Sequence, residues 1–437
     1  MRQSPRTALA ALMVGGALLA SPPGQALAAA VAPAAAPLPT PTPRPQTIVA
    51  PFGIPLFGQP VPSVTQRPLA IPAARVRLRD LGIRIGRLPT GPWNAITDVK
   101  GVKVGHVSLV AGEGKLIPGR GPVRTGVTAI VPRDDVWRNK VFASGFVLNG
   151  NGSMTALDWV KEAGCLETPI LLTNTLSANR VADALVSWMM RQYPDIGVKD
   201  DVVLPCVAEC DDSFLNDQRG RHVREPHVFA ALDLARSGPV AEGAVGAGTG
   251  MVAYRFKAGI GTSSRVLPGH QGGWTVGVLV NANMGWREHL RIAGVPVGLR
   301  INDLLPQARP GEGSIIVIVA TDAPLLPHQL ERLAKRATLG LARTGSIAAH
   351  SSGDFVLAFS TAAHVPHTPT DPSMRISAVH NLHTSPLFEA VVEATEESIG
   401  NALTMATTMI GRDGHTVYAL PLDRLKALLA AEGRLER

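Results

Sequence analysis

The sequence predicts an α/β domain, and three observations predict it. Short β-branched runs alternate with stretches of helical periodicity, and Gly-rich turns separate them. Hydrophobic residues make up 45 % of 437 positions and charged residues only 17 %, enough apolar surface for a large core. Strands are expected at Val102–Val107, Val127–Val131, Ile170–Thr173, Val202–Val207, Thr275–Val280, Ser314–Ala320 and Phe355–Phe359. Helices are expected at Ala156–Glu162, Ala178–Arg191, Pro226–Arg236, His328–Arg343 and Glu389–Met405. In the fourth of these, Leu330, Leu333, Ala334, Ala337 and Leu341 recur at helical spacing, with Pro327 before and Gly345 after. With no repeat and no Pro-rich linker after Arg75, residues 75–437 read as one domain.

What precedes that domain reads as an address and a tether. Residues 1–28 carry Arg2 and Arg6, an apolar run from Ala8 to Ala20, and a small-x-small site at Ala26-Leu27-Ala28. This is the three-part pattern of a secretory signal, and the run is short of the ~20 apolar residues that a membrane span needs. An uncleaved anchor is the competing reading. Export, to a bacterial periplasm, is expected. Residues 29–74 form a Pro-rich linker, with prolines at alternate positions from Pro37 to Pro45 that favour a polyproline II tether.

Composition narrows the function. The net charge is +8, but Arg2, Arg6, Arg44 and Arg67 supply half of it outside the predicted domain. Aromatics are only 4 %, too few for a base-stacking platform, so no nucleic-acid partner is expected. Cys165, Cys206 and Cys210 are too few for a disulfide scaffold. There is no G-x-S-x-G elbow, no Ser-x-x-Lys and no His-Glu-x-x-His. The pairs His364/His367 and His380/His383 lack an acid placed to complete a metal site and read as loop residues. Gly246, Gly248 and Gly250 do not have dinucleotide-loop spacing and read as backbone geometry near a site.

One segment does suggest chemistry. Gly311-Glu312-Gly313 runs into Ser314, which opens the apolar strand Ile315–Ala320. Glycine before serine permits the backbone geometries that an N→O acyl shift needs. If that bond broke, the Ser314 hydroxyl would lie beside its own α-amine, whose pKa of about 8 suits a general base. By pattern alone a strand-initial serine is ordinary.

The chain resembles the DmpA-type L-aminopeptidase/D-esterase family, which includes the β-peptidyl aminopeptidases, over nearly all of Arg75–Leu422. The resemblance rests on collinear blocks: Asn94–Val99 with Gly101–His106, Arg124–Ala129, Leu148–Gly152, Pro169–Thr175, Glu209–Asp217, Gly248–Met251, Gly259–Arg265, Val278–Asn283, Gly313-Ser314, Ser352–Asp354, Ala394–Ser398 and Gly411–Gly414. It implies an αββα sandwich resembling N-terminal nucleophile hydrolases but with different connectivity. It also implies a self-cleaving zymogen cut at Gly313-Ser314 into an α chain ending at 313 and a β chain beginning at 314. The implied enzyme is a serine aminopeptidase or amidase that uses no metal or organic cofactor. It releases N-terminal residues from small peptides, amides or esters with a free amine, and it forms a homo-oligomer.

Matched block by block, the resemblance makes Ser314 the nucleophile and Asn283 the oxyanion-stabilising asparagine. Ser352 and Asp354 form a Ser-x-acid pair that orients and polarises the nucleophile. Glu209 holds the substrate ammonium. Asp211, also substrate-binding, stands where relatives carry an aromatic that touches the reacting group, and it adds a second negative charge near Glu209. Ser153 departs from the Glu expected in Gly-Asn-Gly-Glu-Met-Thr. With Asp211, it points toward a more cationic or polar substrate terminus. Two alternatives share the fold: an amide hydrolase acting on non-peptide ω-amino-acid oligomers, and a non-catalytic exported binding protein.

Overall fold

A computed structural model describes residues 75–307 and 313–436, which share one compact unit. The expected signal peptide (1–28) and Pro-rich linker (29–74) lie outside the described residues. Two sheets form the centre. The first has four strands in the order β1 (Lys103–Ala111), β2 (Val123–Val131), β5 (Ile170–Asn174), β6 (Cys206–Cys210). The second has six, in the order β4 (Cys165–Leu166), β3 (Asn139–Gly150), β12 (Gly353–Pro366), β11 (Gly313–Thr321), β10 (Thr275–Met284), β9 (Ile260–Val266). Two small hairpins join β7 (Val252–Ala253) to β8 (Phe256–Lys257) and β13 (Met409–Ile410) to β14 (Thr416–Val417). The helices are α1 (Leu157–Ala163), α2 (Ala178–Gln192), α3 (Glu225–Asp233), α4 (Val297–Arg300), α5 (Pro327–Arg343), α6 (Ser385–Thr404) and α7 (Leu422–Ala431).

Three apolar cores stack these elements into four layers. Helices α2 and α3 cover the outer face of the four-stranded sheet, where Val181, Leu185 and Val228 meet Val127, Leu171 and Val207. Helices α5 and α6 cover the outer face of the other sheet, with Leu330, Leu333 and Leu403 against Val278, Val317 and Val319. Between the sheets, Ile130, Ile170 and Ala208 pack on Leu279, Ile316, Ile318 and Leu357. Strand β11 feeds both of the last two cores by alternation, Ile315, Val317 and Val319 toward the helices and Ile316, Ile318 and Ala320 toward the facing sheet. A strand buried on both faces is therefore apolar throughout. The expected αββα sandwich is the observed architecture.

The expected strands and helices all form, with shifted ends. Val202–Val207 is corrected to Cys206–Cys210, because Pro205 cannot donate to the ladder. Strands β3 and β9 carry small and polar residues (Ser144-Gly145; Gly261-Thr262-Ser263-Ser264) that hide a β pattern. A buried ion-pair network ties β9 to α6. Arg265, fully buried, bonds Glu393 at 2.9 Å and Glu397 at 2.7 Å, and Glu397 also pairs with Arg79 at 2.8 Å. Burial pushes the Glu397 carboxyl up, but Arg265, Arg79 and the Asn94 amide together hold it below its ordinary value.

Candidate active site

The site forms where β10, β11 and β12 lie side by side. Strand β11 pairs antiparallel with β10 and parallel with β12, and the register sets Asn283 opposite Ser314 on one side and Gly353 opposite Ser314 on the other. Ser314 is 6 % exposed, and its buried Oγ makes no hydrogen bond among the described residues. Gly313 has φ +81°, and a Cβ there would fall 1.7 Å from the Asn283 carbonyl oxygen. Both facts require glycine before the serine.

Asn283 is a buried residue of strand β10, not a turn residue beyond it. Its Oδ1 accepts from the Val252 N–H at 2.8 Å, and its Nδ2 donates to the Asp211 carbonyl at 2.8 Å. An amide nitrogen carries two N–H groups, so one remains for an oxyanion. The loop that supplies Val252 is itself pinned. The buried Lys257 ammonium donates to the carbonyls of Gly248 (3.1 Å), Met251 (2.8 Å) and Ala258 (2.7 Å). The Gly246–Gly250 stretch, a buried 3₁₀ turn, thus shapes backbone beside the site, as expected.

Behind Ser314, the Ser352 hydroxyl donates to Asp354 Oδ1 at 2.6 Å. Asp354 lies opposite Ile315 in the ladder, and its carboxylate accepts from the Ile315 N–H. Asp354 Oδ2 is buried with no hydrogen bond among the described residues. Burial pushes the Asp354 carboxyl up, and the Ser352 and Ile315 bonds oppose the shift. The Cys210 thiol neighbours Ser314, Glu209 and Asp354. Its burial pushes its pKa up, so it is no competing nucleophile.

Glu209, near the end of β6, is buried, and desolvation pushes its carboxyl up. It accepts from the Ser153 N–H at 2.9 Å and from the Thr175 hydroxyl. Asp211, one residue past β6, is exposed; its Oδ1 accepts from the Ser213 N–H at 2.7 Å and from Gln218 Nε2.

A cavity of about 340 Å³ gathers these groups. Glu209, Asp211, Asn283, Gly313 and Ser314 line it together with Asn151, Gly152, Thr175, Ser213, Phe214, Val252 and Ser351. Ser352 and Asp354 are not among its lining residues and reach Ser314 through the β11–β12 ladder. The sequence reading did not single out Thr175, Phe214, Val252 or Lys257. Thr175 and Phe214 fall inside blocks that carried the resemblance, and Val252 follows another directly, which was the available signal. Elsewhere, His364 bonds Arg133 at 2.9 Å and His367 bonds Asp200 at 2.5 Å, while Cys206 and Cys210 are unpaired. Among the described residues no group of three or more His, Cys, Asp or Glu is arranged to hold a metal ion.

A serine at the head of a central strand of an αββα sandwich, paired with an asparagine on the neighbouring strand, places the protein in the class of hydrolases with N-terminal-nucleophile architecture. The model of peptidase family S58 matches residues 94–417, and the chain belongs to that family. Over 373 residues it is 45 % identical to the beta-peptidyl aminopeptidase BapA of Sphingosinicella microcystinivorans, covering 82 % of this chain and 93 % of that protein. The solved beta-aminopeptidase of a Burkholderia species superposes with a TM-score of 0.77 at 47 % identity, over 82 % of this chain and 99 % of that one. The L-aminopeptidase D-Ala-esterase/amidase of Ochrobactrum anthropi gives a TM-score of 0.77 at 42 % identity over the same shares, and its structure is described as a prototype for the serine aminopeptidases and a new variant of the Ntn hydrolase fold.

Proposed function

We propose that this serine-type aminopeptidase is exported, cuts its own chain between Gly313 and Ser314, and then uses Ser314 to release N-terminal residues from small peptides, amides or esters with a free amine. One observation carries the reading: Ser314, Asn283 and Glu209 open onto a single cavity. In the uncut chain the Ser314 Oγ attacks the Gly313 carbonyl carbon. The C–N bond breaks, the nitrogen takes the hydroxyl proton, and an ester joins Gly313 to the Ser314 Oγ. That shift frees the Ser314 α-amine, and water then hydrolyses the ester to release the Gly313 carboxylate and the Ser314 hydroxyl. The positive φ of Gly313 and the unbonded state of the hydroxyl support this step.

In turnover the α-amine takes the proton from Oγ as it attacks the substrate carbonyl. The free N–H of Asn283 stabilises the developing oxyanion, a contribution of about 3 kcal/mol where such donors have been removed. Asp354, oriented by Ser352, offers its unbonded Oδ2 to the new ammonium. Glu209 pairs with the substrate ammonium, a charge-assisted bond that an N-acylated terminus cannot make. The beta-peptidyl activity named for the relative at 45 % identity supports including β-amino-acyl termini in the substrate range. The three-part pattern of residues 1–28 supports export to the periplasm. We also propose that the working form is a homo-oligomer.

Intact-mass analysis of the purified protein and of Ser314→Ala tests the reading. Two fragments, the second starting at Ser314, are expected from the first and a single inert chain from the second. Normal processing of Ser314→Ala removes Ser314 from the mechanism.

A further inference from the structure

The cavity holds more negative charge than the proposed reaction uses. A single substrate ammonium is matched by Glu209. Asp211 lines the same cavity, and among the described residues that line it none is basic. The cavity also contains Ser314, more than nine-tenths buried, whose Oγ makes no hydrogen bond among the described residues, so a ligand is expected against these walls.

The Asp211 carboxylate is fixed rather than swinging in solvent. Its Oδ1 is held by the Ser213 N–H at 2.7 Å and by Gln218 Nε2. Its own carbonyl is held by Asn283 Nδ2 at 2.8 Å, so the same residue is anchored to the asparagine beside the nucleophile. Glu209 and Asp211 are two residues apart along extended backbone, which sets their Cα atoms about 6–7 Å apart. A lysyl residue spans a similar distance between its α-ammonium and its ε-ammonium, at the end of a four-carbon stem.

We propose that Asp211 is a specificity residue that pairs with a second cationic group on the residue being released, so that diamino termini such as lysyl, and their β-homologues, are preferred over neutral termini of the same length. The inference rests on the aminopeptidase reading of the site. It makes the N-terminal residue a dication held at two carboxylates, with its scissile carbonyl left to Ser314 and Asn283.

The test compares lysyl, norleucyl and Nε-acetyl-lysyl p-nitroanilides, with β-alanyl p-nitroanilide as reference, on the mature enzyme. We expect kcat/KM for lysyl to exceed norleucyl and Nε-acetyl-lysyl by about tenfold at low ionic strength, and the ratio to shrink as salt rises. The ratio should fall near unity in Asp211→Asn and persist in Asp211→Glu. A ratio at or below one in the unaltered enzyme, or one unchanged by Asp211→Asn, overturns the assignment. If the variant does not fold, the acetyl-lysyl comparison and the salt dependence of the unaltered enzyme decide. Turnover of norleucyl or β-alanyl substrates without a lysyl preference refutes this inference alone. Failure to turn over any of the four refutes the aminopeptidase reading, and the inference with it.

Discussion

A methyl group added at residue 313 interrogates self-cleavage without touching the nucleophile. Gly313 sits at φ +81°, where an L-residue costs about 1–2 kcal/mol. Its added Cβ would lie 1.7 Å from the Asn283 carbonyl oxygen, 2.7 Å from that carbonyl carbon and 3.0 Å from the Met284 Cα, all backbone of β10. Restoring an ordinary contact requires the 313 peptide and β10 to separate by roughly 1.5 Å or more. That movement lies along the line joining the bond to be cut with the strand that carries Asn283. A misplacement of about 1 Å at a reacting centre costs on the order of 10²-fold in rate, so Gly313→Ala should slow processing by at least about that factor. The assay is a time course of freshly purified protein on denaturing gels with intact-mass identification of the fragments. Thermal unfolding of the same samples shows whether the sandwich survives. Processing of the folded variant within about threefold of the unaltered rate, a difference below 1 kcal/mol, would refute the claim that this peptide must sit against β10 to react.

Three further outcomes are expected. Asn283→Ala should lower kcat by about 10²–10³ through loss of the oxyanion donor, and because it also strips Val252 N–H and the Asp211 carbonyl of their partners it should cost about 1–3 kcal/mol in thermal or denaturant unfolding. Protonation of the Ser314 α-amine should set the first acid limb of kcat/KM, and Glu209 should add a second fall at lower pH: burial raises its folded pKa, so ammonium binding is lost as pH falls through a value above the ordinary glutamate one, and Glu209→Gln should remove that second fall while leaving the first. Arg265→Met should leave Glu393 buried without its cation and Glu397 with Arg79 alone, costing about 3–5 kcal/mol, and a melting temperature unchanged from the unaltered protein would show that the network is not what joins β9 to α6.

Much of this architecture was legible in the sequence because apolar pattern and burial agree. Strands β5, β10 and β11 read as largely apolar runs because both of their faces are covered, and α5 reads as a helix because only one of its faces is. Strands β3 and β9 were not legible. Their small and polar residues answer to close neighbours rather than to an apolar core: Ser263 bonds the Ala394 carbonyl at 2.7 Å, Ser264 bonds Asp98 at 2.6 Å, and Arg265 is neutralised inside the fold. The site was legible only through its resemblance to a family, because Ser314, Asn283, Asp354 and Glu209 stand on four different strands and share no local spacing. Even then, the expected strand ended at Val280, short of Asn283, because nothing local reveals the two backbone groups that hold Asn283 in β10.

What fixes the register that assembles the site is not the apolar alternation of β11. That strand is apolar on both faces, so slipping by one residue would mostly exchange isoleucine and valine for one another at little cost in polarity. The register is fixed instead by crowding at the ends of the strands. Gly313 lies against the Asn283 carbonyl, and Gly353, the ladder partner of Ser314, lies where a Cβ would fall 2.3 Å from the Asn151 carbonyl. A one-residue slip of β11 would bring Ser314 into the first position, and one of β12 would bring Ser352 or Asp354 into the second, and neither position has room for a side chain. The same two close approaches hold Asn283 opposite Ser314 on one side and Asp354 one step along on the other. The two glycines, each with no room for a side chain, therefore hold the site in register. On the proposed mechanism, the geometry for cutting the chain and the geometry for later turnover would both follow from this one packing arrangement.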